Sequence, residues 1–134
     1  MNHPFLLQFD KMGSPEIGYL SVVQYEEYMP FEIKRVFWNY AVPDGVVRGN
    51  HAYFHTQQVL VALHGTVKVS LETPQGQQSD FTLMHPHEGL FVPPHCWRKS
   101  QFFGQAVLVV FSSHVFDAAD NLRDYDAFHA LKES

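Results

Sequence analysis

Five residues in the middle of the chain, Gly45, His51, Tyr53, Gln58 and Gly65, limit its fold more than any other feature. Alternate residues of a β-strand face the same side, so His51 and Tyr53 should share one face of a strand. A glycine on either side of this segment suits tight turns, where the backbone needs conformations that other residues disfavour. The pattern therefore predicts a strand with a polar face, held between two turns.

The spacing of these five residues resembles the first motif of the cupins, in which two histidines and a glutamate bind a metal between flanking glycines. His51, Tyr53 and Gln58 stand at the three ligand positions. A divalent ion prefers imidazole and charged oxygen ligands, and this chain offers one histidine, a tyrosine and a neutral amide. We therefore expect a cupin cavity that works through its side chains. A metal site would need an unusual ligand set such as His51, His55 and His95.

A second segment, Pro93-Pro94-His95-Cys96-Trp97-Arg98, resembles the end of the second cupin motif. Arg98 stands at the fourth ligand position, and a guanidinium stays protonated and does not normally bind metal. It binds carboxylate, phosphate or a developing oxyanion instead. Arg48, just before the histidine strand, and Arg35, on the preceding strand, are further candidates for the same opening. The alternative to a role at this opening is that each arginine forms an ion pair on the protein surface.

Length and composition favour one domain over residues 1–134. The chain is 46% hydrophobic and 17% charged, which excludes a disordered chain, and its net charge of -5 argues against general binding to nucleic acid or anionic membranes.

A single cysteine, Cys96, cannot form an intrachain disulfide and so favours the cytoplasm. The N-terminal residues show no signal peptide, and no apolar run is long enough to span a membrane.

Short apolar or alternating runs between Gly and Pro residues predict an all-β fold. We expect a cupin (RmlC-like) jelly-roll barrel with a short C-terminal helix, because apolar residues recur at helical spacing only in the tail, over 117–132. Cupins of this size commonly dimerise, so a homodimer in which the early strands cross over is expected. The predicted strands lie within 6–9, 19–23, 30–40, 59–63, 66–71, 81–83, 90–92 and 106–111.

Nearly the whole chain resembles the sugar-nucleotide 3,4-ketoisomerases, cupins without a metal that act on dTDP-4-keto-6-deoxyglucose. The resemblance implies that a 4-keto sugar becomes a 3-keto sugar through an enediolate, without a cofactor, in the biosynthesis of deoxyamino sugars for a surface polysaccharide or a glycosylated natural product. The matching segments are Pro30-Phe31-x-Ile33-Lys34-Arg35-Val36, Arg48-Gly49-x-His51-Ala52, Gln58-Val59-Leu60-Val61, Leu63-x-Gly65, Gly89-Leu90-Phe91-Val92, Trp97 and Arg123-Asp124-Tyr125-Asp126-x-Phe128.

The chain departs from this family at two titratable positions: the usual His-Ala-His reads His51-Ala52-Tyr53 here, and Arg98 stands where the family often has a histidine after the tryptophan. One explanation is that His51 is the base, with help from His55 or His95, and that Tyr53 donates a proton or a hydrogen bond. The other is that the chemistry has changed, to a keto-sugar epimerase or to a binding protein without catalysis. We expect Arg48 and Arg98 to hold the pyrophosphate or the enediolate oxygens. Weaker candidates for contacts with the nucleotide are Arg35, Trp97 and Tyr40.

Overall fold

The structure is a computed structural model, and it describes residues 3–131. Ten strands and one short α-helix confirm the predicted all-β class. Eight of the strands form one hydrogen-bonded sheet, and β2 and β3 form a separate hairpin. The elements are β1 (Phe5–Gln8), β2 (Met12–Ser14), β3 (Gly18–Leu20), β4 (Arg35–Asn39), β5 (Val47–Tyr53), β6 (Gln58–Glu72), β7 (Gln78–Leu83), β8 (Glu88–Val92), β9 (Trp97–Ser112), β10 (Asn121–Leu122) and α1 (Tyr125–Ala130).

The two long strands β6 and β9 are the centre of the fold. They pair antiparallel along almost their whole length, from Gln58 opposite Ser112 to Glu72 opposite Trp97. The first part of β6 also pairs with β8 and its last part with β7. In the same way, the end of β9 pairs with β4 and its start with β5. The long strands therefore join two groups of shorter strands, as in a jelly roll.

The interior is filled by apolar side chains from the inward faces of these strands, where alternate residues point to the core. Its fully buried members come mainly from β6, β7, β8 and β9. Burial of such side chains is worth roughly 1.5–3 kcal/mol each. The largest of them are Leu60, Leu83, Leu90, Phe102 and Leu108.

The sequence prediction that a strand ends at His64-Gly65 is wrong, because β6 runs through Gly65 to Glu72. The pairing with β9 shifts register around this residue. Gly65 has φ 70°, and a Cβ there would lie 2.7 Å from Phe103 O. The glycine thus allows the two long strands to bend together without ending. The strand predicted over 106–111 is likewise longer, since β9 begins at Trp97.

The prediction of a helix over 117–132 is wrong in its first half, and Lys132 lies outside the described residues. A 3-10 turn, Ala118–Asp120, comes first, and the strand β10 follows it. The Asp120 carboxylate accepts hydrogen bonds from the backbone N–H groups of His55 and Thr56, at 2.8 and 3.2 Å. This long-range contact holds the segment against the end of β5 and prevents a continuous helix.

The helix α1 begins where the Asp124 side chain accepts hydrogen bonds from the N–H groups of Asp126 and Ala127. Its Phe128 is fully buried against Ala52 of β5 and Trp97 of β9. The helix therefore covers the outer side of the strand that carries His51. Among residues 3–131, no helix has the length and apolar character needed to span a membrane.

Gly49→Ala should destabilise the protein far more than Gly76→Ala. Both glycines have positive φ, 102° and 90°, so both changes strain the backbone by about 1 kcal/mol or more. A Cβ at Gly49 would also lie 2.7 Å from Arg98 O, whereas nothing lies within 4 Å at Gly76. We expect urea unfolding to show an additional loss of about 1–3 kcal/mol for Gly49→Ala. Equal losses would show that β5 and β9 can move apart freely.

Candidate active site

A cavity of about 480 Å³ opens between β4, β5, the start of β9 and the tail around β10. β4 and the start of β9 contribute alternate residues, as the pleat requires, whereas β5 contributes consecutive residues around its irregularity between Gly49 and His51. The described lining residues include four arginines and no aspartate or glutamate. The side chains that line it are Arg35, Phe37, Asn39, Val47, Arg48, Asn50, His51, Tyr53, Arg98, Ser100, Phe116, Asn121 and Arg123.

His51 and Tyr53 enter the cavity from the same face of β5. Their rings meet edge to face, with centroids 5.1 Å apart. Ala52 between them points the other way, into the cluster of Trp97 and Phe128. One strand thus carries the reactive groups on one face and packs against the helix through the other.

His51 is 8% exposed, and neither of its ring nitrogens has a hydrogen-bond partner of good geometry among the described residues, although a weaker interaction with the Gly49 backbone favours the imidazolium. Buried polar atoms are rarely left without a partner, and an exception at a cavity wall points to a ligand. Burial, and then the positive charges of Arg98 and Arg123, lower the pKa of His51 to about 4. At neutral pH this imidazole is uncharged and can accept a proton.

Arg98 is the direct cross-strand neighbour of His51, and it is only 5% exposed. Its Nη1 donates to Ser100 Oγ at 3.1 Å, and its Nη2 donates to Gln58 Oε1 at 3.2 Å. Gln58 Nε2 donates in turn to Ser112 Oγ at 3.1 Å. All these partners are neutral, so the charge of this buried guanidinium is not balanced by a carboxylate.

The other three arginines surround the opening. The guanidinium of Arg35 lies over the rings of Phe37 and Phe116, with 4.6 and 5.3 Å between its Cζ and the ring centroids. Arg48 comes from β5 and Arg123 from the segment between β10 and α1. Four positive groups without an acidic neighbour among the described lining residues favour a ligand with several negative charges, and guanidinium is well suited to phosphate.

The structure brings together five of the residues singled out from the sequence: His51, Tyr53, Arg35, Arg48 and Arg98. It places the other four outside this cavity. His55 lies beyond the end of β5, in a separate hollow beside His114 and Asp120. The alternation that would have turned it inward stops at Tyr53, where the strand ends.

The remaining three residues are kept from the cavity by their local surroundings. His95 is exposed at a positive φ of 60°, and its ring packs edge to face with Phe54. Trp97 is buried behind β5, against Phe128. Tyr40 follows the end of β4 and is 67% exposed. A metal set of His51, His55 and His95 is therefore not assembled, and no group of three or more metal-ligating residues occurs within residues 3–131.

Sequence reasoning gives no site role to several lining residues. Arg123 belongs to a segment that matches the sugar-nucleotide 3,4-ketoisomerases. Because the spacing predicts a helix through this segment, the sequence does not indicate that Arg123 lines the cavity. The available sequence signal is Asp124, because an aspartate often begins a helix and would place the preceding Arg123 outside it. Asn121 enters through β10, a two-residue strand that pairs with Tyr53 and Ala52. Nothing in the local sequence indicates that pairing.

The fold and cavity define a cupin-type jelly roll with a site for a negatively charged ligand. Residues 2–133 match the FdtA family, described as WxcM-like, C-terminal. The chain is also 35% identical, over 83% of its length and 80% of the relative's, to the TDP-4-oxo-6-deoxy-alpha-D-glucose-3,4-oxoisomerase of Aneurinibacillus thermoaerophilus. The chain therefore belongs to the FdtA family.

Solved structures of sugar 3,4-ketoisomerases share the fold. QdtA from Thermoanaerobacterium thermosaccharolyticum, solved in complex with TDP, is 30% identical, with a TM-score of 0.91 and coverage of 97% of this chain and 94% of QdtA. WlaRA from Campylobacter jejuni, a TDP-fucose-3,4-ketoisomerase, is 28% identical, with a TM-score of 0.89 and coverage of 98% and 96%. A histidine-to-asparagine variant of QdtA has been solved in complex with TDP-4-keto-6-deoxyglucose.

His51→Asn should make folding less sensitive to acid. The pKa of His51 is lowered to about 4 in the folded protein and is near ~6.5 in an unfolded chain. Between these values the unfolded state binds the additional proton, so stability falls as the pH drops from about 6.5 to about 4, by up to about 3 kcal/mol. Urea unfolding at pH 7 and pH 4.5 should show a smaller loss for the variant. An equal loss in both proteins would contradict a buried neutral His51.

Proposed function

We propose that the chain is a 3,4-ketoisomerase that converts TDP-4-keto-6-deoxyglucose, or a close TDP-linked 4-keto-6-deoxyhexose, to the 3-keto sugar. The observation that carries this proposal is the pair formed by His51 and Arg98, a neutral imidazole beside an uncompensated guanidinium in a cavity rich in arginine. The names of the relatives, which are 3,4-ketoisomerases of TDP-sugars, agree with it.

The reaction moves two protons and leaves the sugar otherwise intact. The C4 carbonyl acidifies the proton on C3, and His51 removes that proton as general base. The C3–H electrons form a C3–C4 double bond, and negative charge develops on the oxygens of the enediolate. A proton then adds to C4, the proton of the C3 hydroxyl passes to the C4 oxygen, and a 3-keto sugar with a C4 hydroxyl results.

Arg98 and Tyr53 act on the intermediate. Arg98 lies beside His51 and supplies a fixed positive charge to the enediolate oxygens, which stabilises charge that exists only during the reaction. The Tyr53 hydroxyl lies on the same face of β5 and donates a proton or a hydrogen bond. In this mechanism one histidine is sufficient, although the sugar-nucleotide 3,4-ketoisomerases that the chain resembles usually have two.

The other arginines bind the nucleotide part of the substrate. A TDP-sugar carries its negative charge on the pyrophosphate, and Arg35, Arg48 and Arg123 surround the opening of the cavity. Phe37 and Phe116 add apolar surface beside Arg35, which suits a planar base. The ligand thus supplies the negative charge that the described lining residues lack.

We also propose that the chain is a single cytoplasmic domain, 1–134, that serves deoxyamino-sugar biosynthesis and forms a homodimer. The hairpin of β2 and β3 pairs only with itself among the described strands, and Leu20 is 58% exposed. Beside it lies an apolar groove of about 600 Å³ with walls from the hairpin and from the outer faces of β6 and β9. A second copy of the chain, with early strands crossing over, would cover both the hairpin and this groove.

His51→Asn should abolish the isomerisation, because no other described lining residue is a neutral base. We would follow TDP-4-keto-6-deoxyglucose in D2O by proton NMR, and expect deuterium at C3 or C4 and a 3-keto product with the wild type only. His55→Asn is the matched control, since the same change falls outside the cavity and should leave the rate nearly unchanged. A C5 epimer as the product would indicate an epimerase, and TDP binding without exchange would indicate a binding protein.

The pH profile should differ between free and liganded enzyme. kcat/KM reports the free enzyme, so its acid limb should lie near the His51 pKa of about 4. The bound pyrophosphate adds negative charge and favours the imidazolium, so the acid limb of kcat should lie at higher pH. Coincident acid limbs near pH ~6.5 in both profiles, the ordinary value for histidine, would contradict His51 as the buried base.

Leu20→Asp should weaken the dimer, since it places a charge in the proposed interface. Light scattering after size-exclusion chromatography should show a dimer for the wild type and a larger monomer fraction for the variant. Val115→Asp is the control, because Val115 is also exposed but lies away from the groove. A monomeric wild type would refute the dimer.

A further inference from the structure

Gln58 is a buried polar residue that does not line the cavity, yet it contacts the residue on which the cavity chemistry depends. It is 2% exposed, and it is the first residue of β6. Its two amide atoms have separate partners: Oε1 accepts from Arg98 and Nε2 donates to Ser112. Arg98 and Ser112 are near opposite ends of β9, so the amide bridges the interior between the two halves of this strand.

The chemical type of this bridge matters more than its shape. Arginine has five N–H donors and no acceptor, and a buried guanidinium needs acceptors for them. A carboxylate would satisfy the donors and would also cancel the charge. An amide oxygen satisfies a donor without cancelling the charge, and the Ser100 hydroxyl does the same. Both groups hold Arg98 and leave it fully positive.

We propose that Gln58 is a positioning residue that fixes the Arg98 guanidinium beside His51 and, by being neutral, leaves its positive charge available to the enediolate. The inference rests on the proposed function in assigning Arg98 to the reacting sugar. It goes further in assigning a role to Gln58, which does not line the cavity.

The charge of Arg98 also acts on the base. The charged or titratable groups that face His51 are Tyr53 on its own strand, Arg98 on β9, Arg123 in the tail, and Arg35 and Arg48 at the opening. All the charged members of this set are positive, and burial together with the charges of Arg98 and Arg123 lowers the pKa of His51 and keeps the imidazole neutral. A negative charge at position 58 would oppose them from within the protein.

Gln58→Glu tests the proposal, since it keeps the size and shape of the side chain and adds one charge. The introduced carboxylate can still accept from Arg98, and the Ser112 hydroxyl can turn to donate to it. We expect a folded protein with kcat/KM lower by about 100-fold or more, as when one oxyanion-stabilising group is lost. The His51 ring, followed by NMR in the protein without ligand, should titrate well above the wild-type value and toward ~6.5.

Gln58→Met is the matched control, because it removes the hydrogen bonds and adds no charge. It should lower stability and displace Arg98, with loss of activity, but the His51 titration should stay closer to the wild-type value than in Gln58→Glu, because burial still lowers the pKa and no negative charge is added. If Gln58 only fills space, the two variants should behave alike and neither should raise the His51 pKa. That result, or wild-type turnover in Gln58→Glu, would overturn the proposal.

The same measurements separate this inference from the proposed function. If the wild type does not isomerise the TDP-sugar, the proposed function fails, whereas the NMR titration still reports whether Gln58 governs the charge at His51. If the wild type is active and Gln58→Glu shows neither a lower rate nor a higher His51 pKa, only the inference about Gln58 fails.

Discussion

The buried guanidinium of Arg98 is the group on which the rest of the site depends. Removing such an ion from water costs several kcal/mol, and a partner carboxylate normally offsets part of that cost. Here the described partners are the neutral side chains of Ser100 and Gln58. The folded core must therefore stabilise a charge that it does not neutralise. This buried charge lowers the stability of the fold, and it also offers a fixed positive group to an anion. Such a loss of stability is expected at a functional site.

The architecture explains how a small protein can hold this charge. The long strands β6 and β9 carry most of the apolar core and also carry Gln58, Arg98, Ser100 and Ser112. The network is thus built on the two strands with the longest pairing, and its geometry does not depend on a loop. The tail that completes the cavity is held by the short pairing of β10 with β5 and by two buried side chains. Asp120 ties the tail to the end of β5, and Phe128 packs the helix behind the same strand.

The sequence predicted those features that depend on local spacing. Alternation along β5 placed His51 and Tyr53 on one face, and the motif positions placed Arg98 close to them. It failed where a distant residue decides the local structure. His55 would continue the alternation, but Asp120, far along the chain, accepts its backbone N–H and turns the chain away. The amphipathic spacing of the tail predicted one helix, because the pattern does not reveal that β10 pairs with β5.

The exchange of the second histidine for Tyr53 is compatible with the proposed chemistry because of the charges around His51. An imidazole with a pKa of about 4 is a weak base, so the abstraction of the C3 proton depends on the arginines to stabilise the enediolate. Once protonated, the same imidazolium is a strong acid beside Arg98, and it returns a proton to the adjacent carbon readily. Burial and the neighbouring positive charges make His51 a poor base, and for the same reason they make its imidazolium a good acid in the second step. One histidine can carry both proton transfers, which leaves Tyr53 free to orient the sugar oxygens.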